Sequence, residues 1–350
     1  MKKIFTYLLI FALCFTVVGG LLACNDVEDV DSDDGANDVT QTPPSTDDGG
    51  NDDDVSDEPI EIVIPRAEYT QETIDGVKYI YYGAMPQKAA STEITNVLQN
   101  LVATSQLAPN EKGYYTYADV DYVMVSGTDS TEGRRLSNGL TIEKDKNYFF
   151  TTEKLRWRVL EEKDGAAFLL CDTVIDKYCF NPTGSYNSLG YLVGTQYRSH
   201  DYAESALRTY INDTLYNDIF TLREKQSILE TNVLNRPGES AYVETQGLMT
   251  SSNDKLFVLS YWEATKDEYN LVVEEDFLMA TLISDYNVAK GMAATRIENN
   301  YYSDWWLRTS GSHTNMGNRV TFSGVIGRNT ECSVNLDYEV GIRPAMWLKI

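Results

Sequence analysis

Side chains able to make and break bonds are scarce in this sequence. His200 and His313 are its two histidines, and its cysteines stand at positions 14, 24, 171, 179 and 332. Neither set has the short paired spacing of a zinc site. A Gly-x-Ser-x-Gly elbow, a His-Glu-x-x-His helix and a glycine-rich phosphate loop are all absent from the sequence. Ser252 to Lys255 fits Ser-x-x-Lys, a hydroxyl nucleophile with a basic amine, but it precedes a strand-like run without companion motifs, so chance composition accounts for it. His313, between Ser312 and Thr314, reads as a loop residue rather than a general base. Glycoside hydrolysis needs only two carboxylates, about 5 Å or about 6.5–9.5 Å apart. With 53 Asp and Glu, abundance alone selects no pair. No catalytic residue, metal site or cofactor is therefore assigned.

One cysteine has a clearer context. Lys2 and Lys3 lead into an apolar run from Ile4 to Val18, followed by Gly19, Gly20, Leu21, Leu22, Ala23 and Cys24. A charged start, an apolar middle and small residues before a cysteine read as an export signal. The Leu21 to Cys24 ending resembles the lipobox of bacterial lipoproteins, which implies cleavage before Cys24 and a diacylglyceryl group on its sulfur. An uncleaved anchor or an ordinary signal peptide are the alternatives, since the run is about long enough for a bilayer of roughly 30 Å. The glycine pair and the placed cysteine favour processing. The expectation is an extracytoplasmic protein held to the cell membrane by lipid.

Residues 25–60 hold 14 Asp or Glu and no Lys or Arg. So charged and so poor in apolar side chains, they read as a disordered acidic tether kept extended by self-repulsion. Asp29, Asp31, Asp33 and Gly35 superficially suit a calcium loop, but the glycine falls one place late and no closing glutamate follows. Setting aside leader and tether, residues 61–350 keep a net charge of −12 out of the total of −24. Nucleic acid and anionic lipid are disfavoured partners for such a surface. Three cysteines in the domain write no complete disulfide framework. Cys171 and Cys179 could pair across a hairpin, with a buried thiol at Cys171 as the alternative.

The pattern from 61 onward predicts an α+β domain, its lead-in at 61–154 and its core at 155–350. Strands are expected at Val77–Tyr82, Tyr114–Val125 and Tyr148–Thr152, a helix at Thr92–Val102, and a long surface loop at Ser126–Lys146. Arg156–Leu160 and Ala167–Cys171 form the clearest hairpin, turning at Asp164 and Gly165. A helical insert follows over Glu204–Asn212 and from Thr221 toward Leu229, the latter opened by Thr221 and Glu224 as a capping box. Ser260 and Glu263 form a second box after the strand Leu256–Leu259. Short strands close the chain at Trp305–Arg308, Val320–Phe322, Cys332–Leu336 and Gly341–Leu348.

These residues carry a resemblance. Ile80 to Gly83 before Pro86 and Gln87, Arg156 to Leu160, Ala206 to Arg208 with Tyr210 to Asn212, Leu256 to Ser260, Trp305 to Arg308, and Gly341 to Leu348 occur in the order expected of domain-of-unknown-function family 6273. The chain resembles that family over nearly all of Tyr79–Ile350. The resemblance implies a surface lipoprotein without an assigned biochemical role. More distantly, the Trp-Leu-Arg strand, the variable stretch and the terminal Gly-Ile-Arg strand look like the C-type-lectin-like fold of formylglycine-generating enzymes and retroelement variable proteins. The enzymes of that fold depend on a cysteine pair near the terminal strand, where Cys332 stands alone.

Recognition is the expected role. Tyr301 to Tyr338 is rich in Tyr, Ser, Thr, Asn, Gly and Arg, a vocabulary of adaptable binding loops. Tyr301, Tyr302, His313, Asn315, Asn318, Arg319, Arg328, Asn329, Asn335 and Tyr338 are its candidate ligand-binding residues for a protein or glycan. Trp305, Trp306, Arg308, Arg343 and Trp347 are expected to be structural: one tryptophan of the adjacent pair faces the core, and the arginines brace the terminal strands through carboxylates or carbonyls. A glycan- or peptidoglycan-acting hydrolase and a structural envelope component are the alternatives.

Overall fold

A computed structural model describes residues 68–182, 200–236, 249–271, 281–311, 315–326, 330–334 and 340–350. The leader, Cys24 and the acidic stretch 25–60 lie outside the described residues, as do His313, Arg328, Asn329, Asn335 and Tyr338.

Strands β1 (Thr70–Ile74) and β2 (Val77–Ala89) are followed by helix α1 (Thr92–Ala103), then β3 (Tyr114–Tyr117), β4 (Val120–Ser126), β5 (Asn147–Lys163), β6 (Ala166–Cys171) and β7 (Asp176–Tyr178). The middle holds α2 (Ala206–Thr209), α3 (Tyr216–Ile219), α4 (Leu222–Lys225), β8 (Ile228–Leu229), β9 (Thr231–Asn235), β10 (Thr250–Asp254), β11 (Phe257–Val258) and α5 (Tyr261–Ala264). Then come β12 (Thr281–Leu282), α6 (Asp285–Ala289), β13 (Thr295–Ile297), β14 (Asn300–Ser303), β15 (Trp305–Ser310), β16 (Met316–Val320), β17 (Cys332–Ser333), β18 (Val340–Ile342) and β19 (Pro344–Lys349). The result is a mixed α/β domain of mostly antiparallel sheets and few helices.

A nine-stranded sheet runs β1-β2-β5-β6-β19-β11, with β4 and β3 branching from β5 and β8 beside β19. A five-stranded sheet runs β17-β16-β15-β18-β7, a three-stranded one β12-β14-β13, and β9 pairs with β10. The strands are not all short. β5 takes in both Tyr148–Thr152 and Arg156–Leu160 as one strand of 17 residues, so the division at 154/155 falls inside it. β2 extends through Pro86 because register shifts after Tyr81 and Pro86 accommodate the missing donor. Gly83, at φ +66°, lies at the first shift, where a Cβ would meet the Ile219 side chain at 2.5 Å. Only glycine fits that approach.

Three expectations change. The stretch 127–146 is a loop tied into the core: Leu136 and Ile142 are buried, and Arg134 Nη1 donates to the Met292 carbonyl at 2.7 Å. The helix predicted to 212 continues to Ile219 through a π-helical segment, Tyr210–Leu215. The helix opened by Thr221 stops after one turn, because Ile228–Leu229 pairs with β19.

The terminal motif differs most. Gly341–Leu348 is two strands in two sheets: β18 pairs with β15 and β7, β19 with β6, β8 and β11. The crossing point is Arg343. Gly341 permits it, since a Cβ there would stand 2.5 Å from Val174 Cγ1 and 2.6 Å from the Asp304 carbonyl. Trp305 and Trp306 are both buried, against the expectation of one. Strand β15 lies in the middle of its sheet and is covered on both faces. Trp306 donates from Nε1 to the Tyr178 carbonyl at 2.9 Å and meets Phe180 edge-on, while Trp305 carries the Arg343 guanidinium on its ring. Trp347 is half-buried, stacked on Phe168 at 5.2 Å.

Candidate functional site

Two of the candidate ligand-binding residues, Tyr302 and Arg319, meet at one pocket. The register sets Leu282, Tyr302 and Thr295 in one row across β12, β14 and β13, so their side chains share a face. Asp304 follows β14 and is clamped by backbone: its carbonyl accepts from Gly341 N at 3.0 Å and its Oδ1 from Phe322 N at 2.6 Å. From β16, Arg319 reaches back, its Nη1 2.7 Å from Asp304 Oδ2 and its Nε donating to the Thr330 carbonyl at 3.0 Å. Thr330 returns a hydroxyl hydrogen bond to the Arg319 carbonyl at 2.9 Å, so the arginine is held at both ends.

The cavity between these elements has a volume of about 300 Å³, lined by Ala293, Ala294, Thr295, Tyr302, Ser303, Asp304, Arg319, Phe322 and Val340. Its polar centre is an ion pair whose side chains are 24% and 23% exposed, enough to keep hydrogen-bonding capacity toward solvent. Its walls are small apolar groups and two aromatic rings. A charge-neutral pair flanked by rings suits a polar, uncharged ligand with an apolar face better than an ion.

The other candidates are placed differently. Tyr301 turns to the opposite face of β14, where its hydroxyl accepts from Arg135 N at 3.0 Å. Asn318 is buried and donates from Nδ2 to the Ser310 carbonyl at 2.7 Å, tying β16 to β15 beneath the surface. Asn315 is half-buried, and its carbonyl accepts from Val334 N at 2.9 Å. Asp304, Phe322 and Ala293–Thr295 had no sequence signal of their own beyond the composition of the stretch, since long-range strand pairing gathers them.

Both arginines meet acceptors on other elements. Arg308 forks onto Glu263 at 2.5 and 2.6 Å and donates to the Val258 carbonyl at 2.9 Å, whereas Arg343 donates from Nε to the Cys171 carbonyl at 2.8 Å. Cys171, ending β6, is not bonded to Cys179. Burial pushes the Cys171 and Cys332 thiols up to about 12, so both stay protonated and poor as nucleophiles at neutral pH.

Fold and pocket together define a mixed α/β domain with a small polar and aromatic depression between its five- and three-stranded sheets. The chain belongs to the DUF6273 family, a domain of unknown function, whose model matches residues 165–350. That span includes the pocket and both terminal motifs, while Ile80–Gln87 and Arg156–Leu160 precede it. No characterised protein and no solved structure matches the chain.

Proposed function

We propose that the protein is exported, anchored by lipid at Cys24, and held off the membrane by the acidic spacer 25–60 so that its domain can bind a ligand at the cell surface. We read the layer around β15 to β19 as C-type-lectin-like, with the stretch 301–338 as its loop-bearing part. The observation that carries the binding reading is the Asp304–Arg319 pair set between Tyr302 and Phe322 in a cavity of about 300 Å³. A sugar unit has the matching chemistry. Its C–H face covers an aromatic ring, while adjacent hydroxyls both donate to a carboxylate and accept from a guanidinium. A hydrolase working by paired carboxylates is less well supported, because among the described residues Asp304 is the one carboxylate lining this pocket and its oxygens are engaged by Phe322 N and Arg319.

The test is a glycan and surface-protein array probed with the non-lipidated chain. Glycan binding should weaken about tenfold or more in Tyr302→Ala and in Arg319→Ala, each removing a contact of roughly 1–3 kcal/mol. Binding confined to proteins, or turnover of a glycan, would replace this reading with one of its alternatives.

A further inference from the structure

Arg343 is 4% exposed, and its bonding is incomplete. Nε reaches the Cys171 carbonyl and the Trp305 ring lies 5.1 Å from the guanidinium carbon, but Nη1 is buried without a hydrogen-bond partner. A guanidinium offers five N–H donors in a fork shaped for a planar oxyanion, and burial without one is costly. Burial pushes its pKa down to about 10, with nearby Asp172 opposing and Arg158 adding to the fall, so it remains charged at neutral pH.

Among the described residues no carboxylate bonds its Nη1, although Asp172 lies near enough to favour its charge. Tyr79, Arg158, Leu170 and Ala345 form one row across β2, β5, β6 and β19, and Tyr81 with Arg156 begins the next row on the same face. Arg343, two residues before Ala345, stands beside that second row. Asp172 accepts from Arg156 Nε and Nη2 through Oδ2. Glu161 accepts from the Tyr269 hydroxyl at 2.9 Å and sits 3.6 Å from Lys266 Nζ. Among the described residues Arg158 donates to carbonyls, those of Tyr269 and Asn270 at 3.4 and 3.1 Å. Arg156, Arg158, Lys266 and Arg343 thus share this face with Asp172, Glu161 and Glu72, and each of these carboxylates already bonds another side chain: Asp172 that of Arg156, Glu161 that of Tyr269, and Glu72 the Tyr81 hydroxyl.

We propose that Arg343 and Arg158 form a binding site for one oxyanion group, a carboxylate, sulfate or phosphate, approached from the side of the part-exposed Arg156. This site is separate from the Asp304–Arg319 pocket and stands or falls without it. The group would accept from Arg343 Nη1 and from the Arg158 guanidinium, completing the fork that Cys171 only begins.

The experiment is thermal unfolding of the full-length non-lipidated chain against sodium acetate, sulfate, phosphate and glucuronate, from 0.1 to 20 mM at constant ionic strength. At least one anion should raise the midpoint saturably in the wild type, and the most effective one names the source of the oxyanion. Arg343→Met and Arg158→Gln should each raise the half-saturating concentration tenfold or more, while Arg319→Ala leaves it unchanged. If Arg343→Met fails to fold, Arg158→Gln decides, because the side-chain hydrogen bonds it gives up are those to the Tyr269 and Asn270 carbonyls. A wild type without a saturable rise, or a rise of equal half-saturation in Arg158→Gln, overturns the proposal.

Discussion

Arg308 and Arg343 close similar terminal motifs and are buried almost alike, at 3% and 4% exposure, yet the corners they occupy are built on different terms. At the β15–α5 corner, Ser260 caps α5 and its backbone N donates to Glu263 Oε2 at 2.8 Å, which fixes the carboxylate where Arg308 can fork onto it. A local capping box thereby becomes the anchor of a long-range ion pair. At the β18–β19 crossing no capping motif presents a carboxylate, and Arg343 holds a carbonyl and a ring. Two arginines of equal burial therefore do different work: one is neutralised within the fold, the other keeps an unmatched charge at the junction of two sheets.

The sharpest way to break this contrast is to remove each arginine in the same manner. Arg308→Met leaves Glu263 facing an apolar corner and should cost about 3–5 kcal/mol in urea unfolding. Arg343→Met removes a charge that lacks its own carboxylate, along with one hydrogen bond and one cation–π contact of about 1 kcal/mol each. Relief of the buried charge offsets that loss, so the net change should stay below about 1.5 kcal/mol. Equal losses in the two variants would mean that Arg343 is neutralised after all. A loss under about 1 kcal/mol in Arg308→Met would mean that the forked pair is a poor brace.

Which parts were legible in the sequence follows the same divide between local and long-range signals. Both capping boxes, the hairpin turning at Asp164–Gly165 and helix α1 were legible because each is written within a few residues. Strand β5 was read as two pieces because Glu153 and Lys154 interrupt the apolar pattern. Lys154 instead points to Glu224, 2.6 Å away and 70 residues on. The break at Arg343 was hidden because Gly341–Leu348 is buried almost throughout, so periodicity could not mark where one sheet ends and the next begins. The pocket was half legible. Tyr302 and Arg319 stood out by residue type, but Asp304 becomes their partner only when Gly341 lets β18 approach β15.

A third buried charge sharpens the comparison through pH, with the smallest expected effect. Burial works against the charge of Glu224, yet hydrogen bonds from Lys154 Nζ at 2.6 Å and from Thr221 N and Oγ1, both at 2.9 Å, outweigh it and hold its pKa below the ordinary 4.5. A carboxylate whose folded pKa lies below its unfolded one contributes stability above about 4.5, and that contribution is lost as pH falls through the folded value. Asp254 runs the other way: burial outweighs Ser252 and Arg208 and raises its pKa above 3.8, so its protonation favours the fold as pH drops. The acid limb of stability is then a partial cancellation of two opposed groups. Glu224→Gln should flatten the fall in urea midpoint between pH 6 and pH 3, and Asp254→Asn should steepen it. An unchanged slope in Glu224→Gln would show that the Lys154 and Thr221 hydrogen bonds do not favour the charged form, and that Glu224 belongs with Arg343 rather than Arg308.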